Sequence, residues 1–222
     1  MKAGIKNVTN SIIFLTTFFA MPSVIAMEGP NVKIDDSLKI VKESRFDHAY
    51  LLPGADLGKY NKIILQEADI TFRKNWKRDQ NRMRRTDPIT NKDMERIIRK
   101  GKQLFEQVFT DVLEEGGYSI VVQPGEDVLV VRPTIFDLDI TAPDLKPPGR
   151  VTTFTETAGS AKLSLELYDS TTGQILFQSL DERNERGIGL ERTNSATNQA
   201  HAIRGLKYWA GLLKYDLDNA KK

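Results

Sequence analysis

The chain has 222 residues, of which 40% are hydrophobic and 28% charged, and a formal net charge of +2. Such a balance gives no whole-molecule attraction to nucleic acid, so an electrostatic partner has to be met by a local patch. The sequence contains no cysteine, which excludes disulfides, thiol catalysis, thiolate metal sites and a lipid-bearing cysteine.

Residues 1–26 place Lys2 and Lys6 ahead of an apolar run, Ile12 to Leu15 and Phe18 to Met21, which Pro22 breaks before Val24-Ile25-Ala26. A basic start, a short apolar centre and small or medium residues at the exit predict a secretory signal peptide cut after Ala26. The run is too short and too threonine-rich for a membrane span, which takes roughly 17–25 apolar residues. A periplasmic protein with no transmembrane helix after cleavage is therefore expected. Removing the segment takes two lysines and no acid, leaving 30 basic and 30 acidic residues in 27–222. A chain of that length can bury roughly 70% of its unfolded surface without a structural metal.

Residues 27–61 read as an extended lead-in draped over the domain, with Phe46, Tyr50, Leu51 and Leu52 as anchors. From Lys62 to Phe72 the pattern alternates, Ile64, Ala68, Ile70 and Phe72 opposite Glu67, Asp69 and Thr71, which predicts one half-buried strand. The basic stretch Arg73 to Arg85, closed by Asp87-Pro88, reads as a loop. Thr90 with Asp93 resembles a capping box and opens a helix over about Asn91 to Glu115. Its apolar face runs through Met94, Ile97, Ile98, Leu104, Phe105, Val108, Phe109 and Val112, and Gly116-Gly117 stops it.

Strands are predicted over Tyr118–Val122 and Asp127–Ile140, with Pro133 marking a bulge or an edge because it cannot donate to a ladder. Pro143, Pro147, Pro148 and Gly149 make a stiff loop. Alternation returns over Ala161–Tyr168, and Asp169 to Gly173 turns the chain into a strand from Gln174 to about Arg183. Gly187-Ile188-Gly189 reads as a flexible connector to a second long helix, about Ser195 to Asn219. That helix turns Ala196, Ala200, Ile203, Leu206, Ala210, Leu213 and Leu217 inward. This order predicts an α+β fold with residues 62–222 as a single domain. It would be a two-layer sandwich, a mostly antiparallel sheet of about five strands with two long helices on one face and one parallel crossover pair.

Three stretches resemble a known family: Tyr60-Asn-Lys-Ile-Ile-Leu65, Gln123-Pro-Gly-Glu-Asp-Val-Leu-Val-Val-Arg132 and Leu165-Glu-Leu-Tyr-Asp-Ser-Thr-Thr-Gly173. The chain resembles the exported bacterial envelope family classed as domain of unknown function number 3313, many of whose members are lipoproteins. The resemblance implies an α/β envelope domain similar to small periplasmic accessory domains, and it brings no catalytic residue. This chain departs from the lipoprotein members in having no cysteine to acylate.

Few residues carry chemistry. The histidines are His48 and His201, and neither stands in a nucleophile motif. No metal or cofactor motif occurs, so no catalytic residue, metal or cofactor is assigned. Asp137 and Asp139 are the best acid pair, because residues two apart on a strand face the same side, and Asp144 lies near them in sequence. The plainer reading is that they solvate the outer face of a strand whose inner face carries Phe136, Leu138 and Ile140.

The surface that stands out is basic: Arg73, Lys74, Lys77, Arg78, Arg82, Arg84 and Arg85, interrupted by Asp79 and containing Trp76. Such a cluster suits an anionic polymer or lipid headgroups, and an indole can stack on sugars or sit at a membrane interface. Against this stands a solvated segment whose arginines pair with Asp93, Glu95 and Glu106. The function expected is that of a periplasmic, non-enzymatic protein that binds or supports another envelope component. That component would be an anionic polymer, a lipid surface touched peripherally or a protein complex, and not nucleic acid. A hydrolase or metal-dependent enzyme using Asp137 and Asp139 is the alternative. A structural subunit docking through the helix face at Tyr208 and Trp209 is a third.

Overall fold

The computed structural model describes residues 32–82, 84, 87–140, 153–193 and 195–222, with the side chains of 153–158, 185–193 and 195–198 left aside. The segment expected as a signal peptide, the proline-rich stretch expected as a stiff loop together with Asp144, and Arg85 lie outside these residues.

The first strands lie in the segment expected to be a lead-in. β1 (Lys39–Ile40) pairs antiparallel with β2 (His48–Leu51), and β2 pairs antiparallel with the last strand of the sheet. Phe46 and Ala49 are buried in the main core, so this segment is part of the sheet and not a cover for it. Residues Lys33 to Asp35 cross the outer face, where the Gln178 amide accepts from the Asp35 N–H and donates to the Lys33 carbonyl.

Lys62 to Phe72, expected as one strand, is two: β3 (Lys62–Leu65) and β4 (Asp69–Phe72). Both run parallel to β6 (Val128–Ile140), and β3 also runs parallel to β5 (Ser119–Ile120). Leu65 pairs with Val131 and Asp69 with Thr134, so the β3–β4 side holds one residue more than β6 over the same stretch. An extra residue inverts the alternation, and Ile63 is buried in β3 while Ile70 is buried in β4. Pro133 falls in the gap between those two pairings. There its missing N–H costs no ladder bond to β3 or β4, which lets it sit in a strand that is paired on both sides.

β7 (Thr153–Asp169) and β8 (Ile175–Thr193) complete an eight-stranded mixed sheet among the described residues. Its order is β1-β2-β8-β7-β6-β3-β5, with β4 beside the upper half of β6. The α+β class holds, but the strand count and the mostly antiparallel expectation were too simple. Gly187 to Gly189, expected as a connector, lies inside β8. Beyond the last β6–β7 pair, Ile140 with Gly159, β7 and β8 continue as a two-stranded ribbon. Gly159 is needed at that corner: its φ is +154°, and a Cβ there would run into the Asp139 carbonyl.

Three α-helices are described: α1 (Trp76–Arg82), α2 (Asn91–Glu115) and α3 (Ser195–Asn219). The two long ones keep the boundaries expected. α2 begins with the full capping box, Thr90 Oγ1 accepting from the Asp93 N–H while the Asp93 carboxylate accepts from the Thr90 N–H. Thr90→Ala is expected to lower unfolding stability by about 1 kcal/mol in urea titration. α2 and α3 bury Phe105, Val108, Phe109 and Leu113, and Leu206, Trp209, Ala210, Leu213 and Leu217, against Leu129, Val131, Leu163, Leu165, Leu167 and Phe177 of the sheet. No helix among the described residues is long and apolar enough to cross a membrane.

At the lower end of the sheet, Asp169 organises the β7–β8 turn. Its Oδ1 accepts from the backbone N–H and hydroxyl groups of Thr171 and Thr172, and its Oδ2 from the Tyr60 hydroxyl at 2.7 Å. The Lys59 ammonium approaches Oδ2 at 3.4 Å.

Candidate functional site

The basic segment is a helix and not a loop. Arg73 leaves β4 with its N–H on the Leu138 carbonyl, and Asn75 turns the chain at a φ of 64°, a conformation asparagine tolerates better than most residues. α1 then starts at Trp76. Its indole stacks on Phe72 with centroids 4.2 Å apart, donates to the Ile140 carbonyl and is 1% exposed. The indole fixes α1 to the upper end of the sheet, so it offers no platform to a sugar or a bilayer. Asn81 closes the other end by bonding both the N–H and the carbonyl of buried Ile89.

The cations around Trp76 divide by role. Arg73 is built in: its guanidinium donates to Asp139 at 2.5 Å and to Asp79 at 2.9 Å, contacts that raise its pKa, Asp79 contributing most. The same contact with Arg73 holds the Asp79 carboxyl below the usual range. Lys77 donates to Asn91 Oδ1 at the start of α2. Arg84 is half-buried, whereas Lys74, Arg78 and Arg82 are exposed, Arg78 leaning on Asp79 at 3.3 Å. The ion pairs of Arg73 and Arg78 run to Asp79 and Asp139 rather than to the helix acids expected, and Asp93 is met by Arg96.

The basic surface does not stop where the sequence run seemed to end. Lys92, Arg99 and Lys100 are exposed on the first half of α2 and Arg96 is half-exposed. Between Arg73 and Lys102 the chain carries twelve basic residues against Asp79, Asp87, Asp93 and Glu95, while the rest of 27–222 holds 18 basic against 26 acidic. A nearly neutral chain is thus strongly segregated by charge. The α2 residues were hidden from the sequence reading because they belong to an amphipathic helix, where cations look like an ordinary wet face. Their signal was the continuation of the same one-sided count.

Asp137 and Asp139 are not brought together. Phe136 pairs with Lys162 and Asp139 with Ser160, so β6 holds one residue more than β7 there, and Asp137 sits at the bulge with a φ of 52°. The extra residue cancels the rule that positions two apart share a face. Asp137 meets Lys162 at 2.9 Å, while Asp139 meets Arg73. His48 is exposed on β2 and His201 is buried on α3 beside Arg204. Trp209 is buried with its N–H on Asp181 at 2.9 Å, and Tyr208 is 40% exposed beneath the Arg183 guanidinium. The face expected to dock through both rings therefore keeps only one of them. Burial pushes the Asp181 carboxyl up. No cluster of metal-ligating side chains occurs among the described residues.

Below α1, the upper halves of α2 and α3 stand apart over β4, β6 and β7 and leave an apolar cleft of about 180 Å³. Ile97, Leu104, Ile135, Leu138 and Leu206 line it, together with Asp139, Arg183 and His201.

Comparison with solved structures finds partial likenesses. The PelC dodecamer from Paraburkholderia phytofirmans is 9% identical, with 72% of this chain and 92% of that chain covered and a TM-score of 0.38. A DUF330 protein from Xanthomonas campestris is 11% identical, covering 72% and 88%, with a TM-score of 0.36. A DUF4136 family protein from Bacteroides thetaiotaomicron is 11% identical, covering 85% and 99%, with a TM-score of 0.33. No curated protein matches the chain. Residues 34–213 match the family described as protein of unknown function (DUF3313), which takes in β1, β2 and nearly all of the sheet and helices set out above, and the chain belongs to that family.

Proposed function

We propose that this is an exported, non-enzymatic envelope protein whose basic end, α1 with the first half of α2, binds an anionic lipid surface. The observation that carries the reading is the charge segregation: twelve cations against four acids between Arg73 and Lys102 in an otherwise acidic chain. Burial of Trp76 removes the sugar-stacking argument for a glycan, which leaves dispersed charge on well-anchored helices, a form suited to headgroups. Export rests on the pattern of residues 1–26. A non-catalytic role is supported by the separation of Asp137 from Asp139, each held by a cation.

The test is cosedimentation with vesicles of phosphatidylglycerol and phosphatidylcholine across a salt series, with cell-wall sacculi in parallel. Each basic residue near such a surface contributes about 1 kcal/mol, so the triple variant K74Q/R78Q/R82Q is expected to bind anionic vesicles about 100-fold more weakly. Wild-type binding should fall steeply with salt. Binding that ignores both salt and the triple change, or binding to sacculi alone, would overturn the lipid reading.

A further inference from the structure

The solvent face of α2 is divided by charge along its length. Its first twelve residues, Asn91 to Lys102, hold five bases against two acids, and its last thirteen, Gln103 to Glu115, hold four acids and no base. A helix by itself favours the reverse, since its dipole draws acids to the N-terminal end and cations to the C-terminal end. In the first turn Asp93 alone follows that rule, and the last turn has no basic residue. Holding α2 together is therefore not what this order of charges does. Asp93, Arg96 and Lys102 are engaged in ion pairs. Lys92, Arg99, Glu106 and Glu114 are exposed and form no ion pair among the described residues.

With 3.6 residues per turn, those four side chains and the exposed Gln103 share one arc of about 80°. Gln103 stands midway between Lys92 and Glu114 in the sequence, and within half a residue of midway between Arg99 and Glu106. A second α2 laid antiparallel on the first, with a twofold axis beside Gln103, therefore sets Lys92 of each copy opposite Glu114 of the other. The same register sets Arg99 opposite Glu106. A twofold contact needs such a self-complementary face. We propose that this face of α2 binds the same face of a second copy, antiparallel about Gln103, in a salt-sensitive dimer. The contact is about 37 Å long and about 10 Å wide, or roughly 700 Å² over both copies. That is below the roughly 1,200 Å² at which standard interfaces begin and belongs with weak, transient ones. The acidic half of α2 has no part in lipid attachment, so the contact does not rest on that reading. Lys92 and Arg99 are common to both surfaces, which makes the two uses compete.

The test is sedimentation velocity of the mature protein at up to about 0.5 mM, in about 20 mM and about 300 mM salt. A monomer–dimer equilibrium is expected in low salt, at least tenfold weaker in the higher salt. E106K/E114K turns all four positions basic and K92E/R99E turns all four acidic. Each should be monomeric alone, and an equimolar mixture should restore the dimer, because the pairs form again between unlike copies. E106Q/E114Q, which removes attraction without adding repulsion, should weaken the dimer about tenfold and covers the case in which a reversal disturbs the fold. The sequence has no cysteine, so single cysteines read the geometry. Gln103→Cys should be joined to its mate by a short bismaleimide, and Thr110→Cys, about 21 Å from its mate along the antiparallel pair, should not. The inference is overturned if the wild type stays monomeric in low salt, if the dimer survives E106Q/E114Q, or if Thr110→Cys is joined in place of Gln103→Cys. K74Q/R78Q/R82Q should lose vesicle binding and keep the dimer, and E106Q/E114Q should do the opposite, so the two readings fail separately.

Discussion

Trp76→Ala is expected to cost about 3–5 kcal/mol of unfolding stability, the range for deleting a large buried aromatic side chain. The indole is 1% exposed, stacked on Phe72 and bonded to the Ile140 carbonyl. Its loss leaves a cavity, an unsatisfied carbonyl and an α1 with nothing to hold it on the sheet. Small domains have only about 5–15 kcal/mol in hand, so the change should be plain in the urea midpoint. Trp76→Phe keeps the ring contact and loses the N–H, and should cost about 1–2 kcal/mol. A ligand-binding tryptophan would give the opposite pattern: a normal midpoint with vesicle binding gone. That pattern would return Trp76 to the surface.

Asp169→Ala should be nearly as damaging, at about 3 kcal/mol. Hydrogen bonds to a charged group contribute about 1.5–3 kcal/mol each, and buried donors left without a partner add to the loss. The Thr171 and Thr172 bonds, the Tyr60 hydroxyl and the backbone bonds all hold its carboxyl far below the usual carboxylate range, with Thr171 the largest cause, and burial opposes them only in part. Because the folded value is the lower one, the stabilisation is present above about pH 4, where the unfolded aspartate is ionised, and fades as pH falls toward the folded value. About 2–3 kcal/mol should go in this way. Asp169→Asn can still accept from both threonines but turns an N–H₂ toward Tyr60 and Lys59. It should be less stable than wild type at pH 7 and lose less on acidification. Urea titrations at several pH values read both effects, and parallel pH curves for the two proteins would refute the assignment.

What was readable from the sequence follows from locality. Helix α2 announced itself through Thr90, Asp93 and Gly116-Gly117, and the Asp169 turn through five consecutive residues, because these are short-range devices. The strands at Lys62–Phe72 and the Asp137–Asp139 pair misled for one reason. Each hides a single extra residue relative to its neighbour, and a bulge is a property of two strands, invisible in either alone. Phe46 is legible as an anchor, but the strand β2 and the burial of Ala49 are not, because β2 is built by pairing with β8 more than a hundred residues later. Trp76 looks like a ligand platform as long as the basic stretch around it is taken for a loop, whereas that stretch forms α1 and the tryptophan is its buried residue. The cleft had no local sign at all, since the residues that line it come from elements far apart in the chain.

The position of α1 on the sheet also bears on orientation. The basic helix caps the Leu138–Ile140 end of β6, and the Asp169 turn lies beside Leu129 at the other end, on the order of 35 Å away by strand rise. A molecule with little net charge but with its cations gathered toward one end presents that end as a local positive field. Near a negatively charged plane it is turned before it is pulled, so encounters should be made basic pole first. At physiological salt the field of a charge is screened within about 8 Å, well short of the length of the strands. Once the molecule is aligned, charges at the far end of the strands are beyond the reach of the surface, and on the proposed reading a nearly neutral protein should adsorb as though it were a cation.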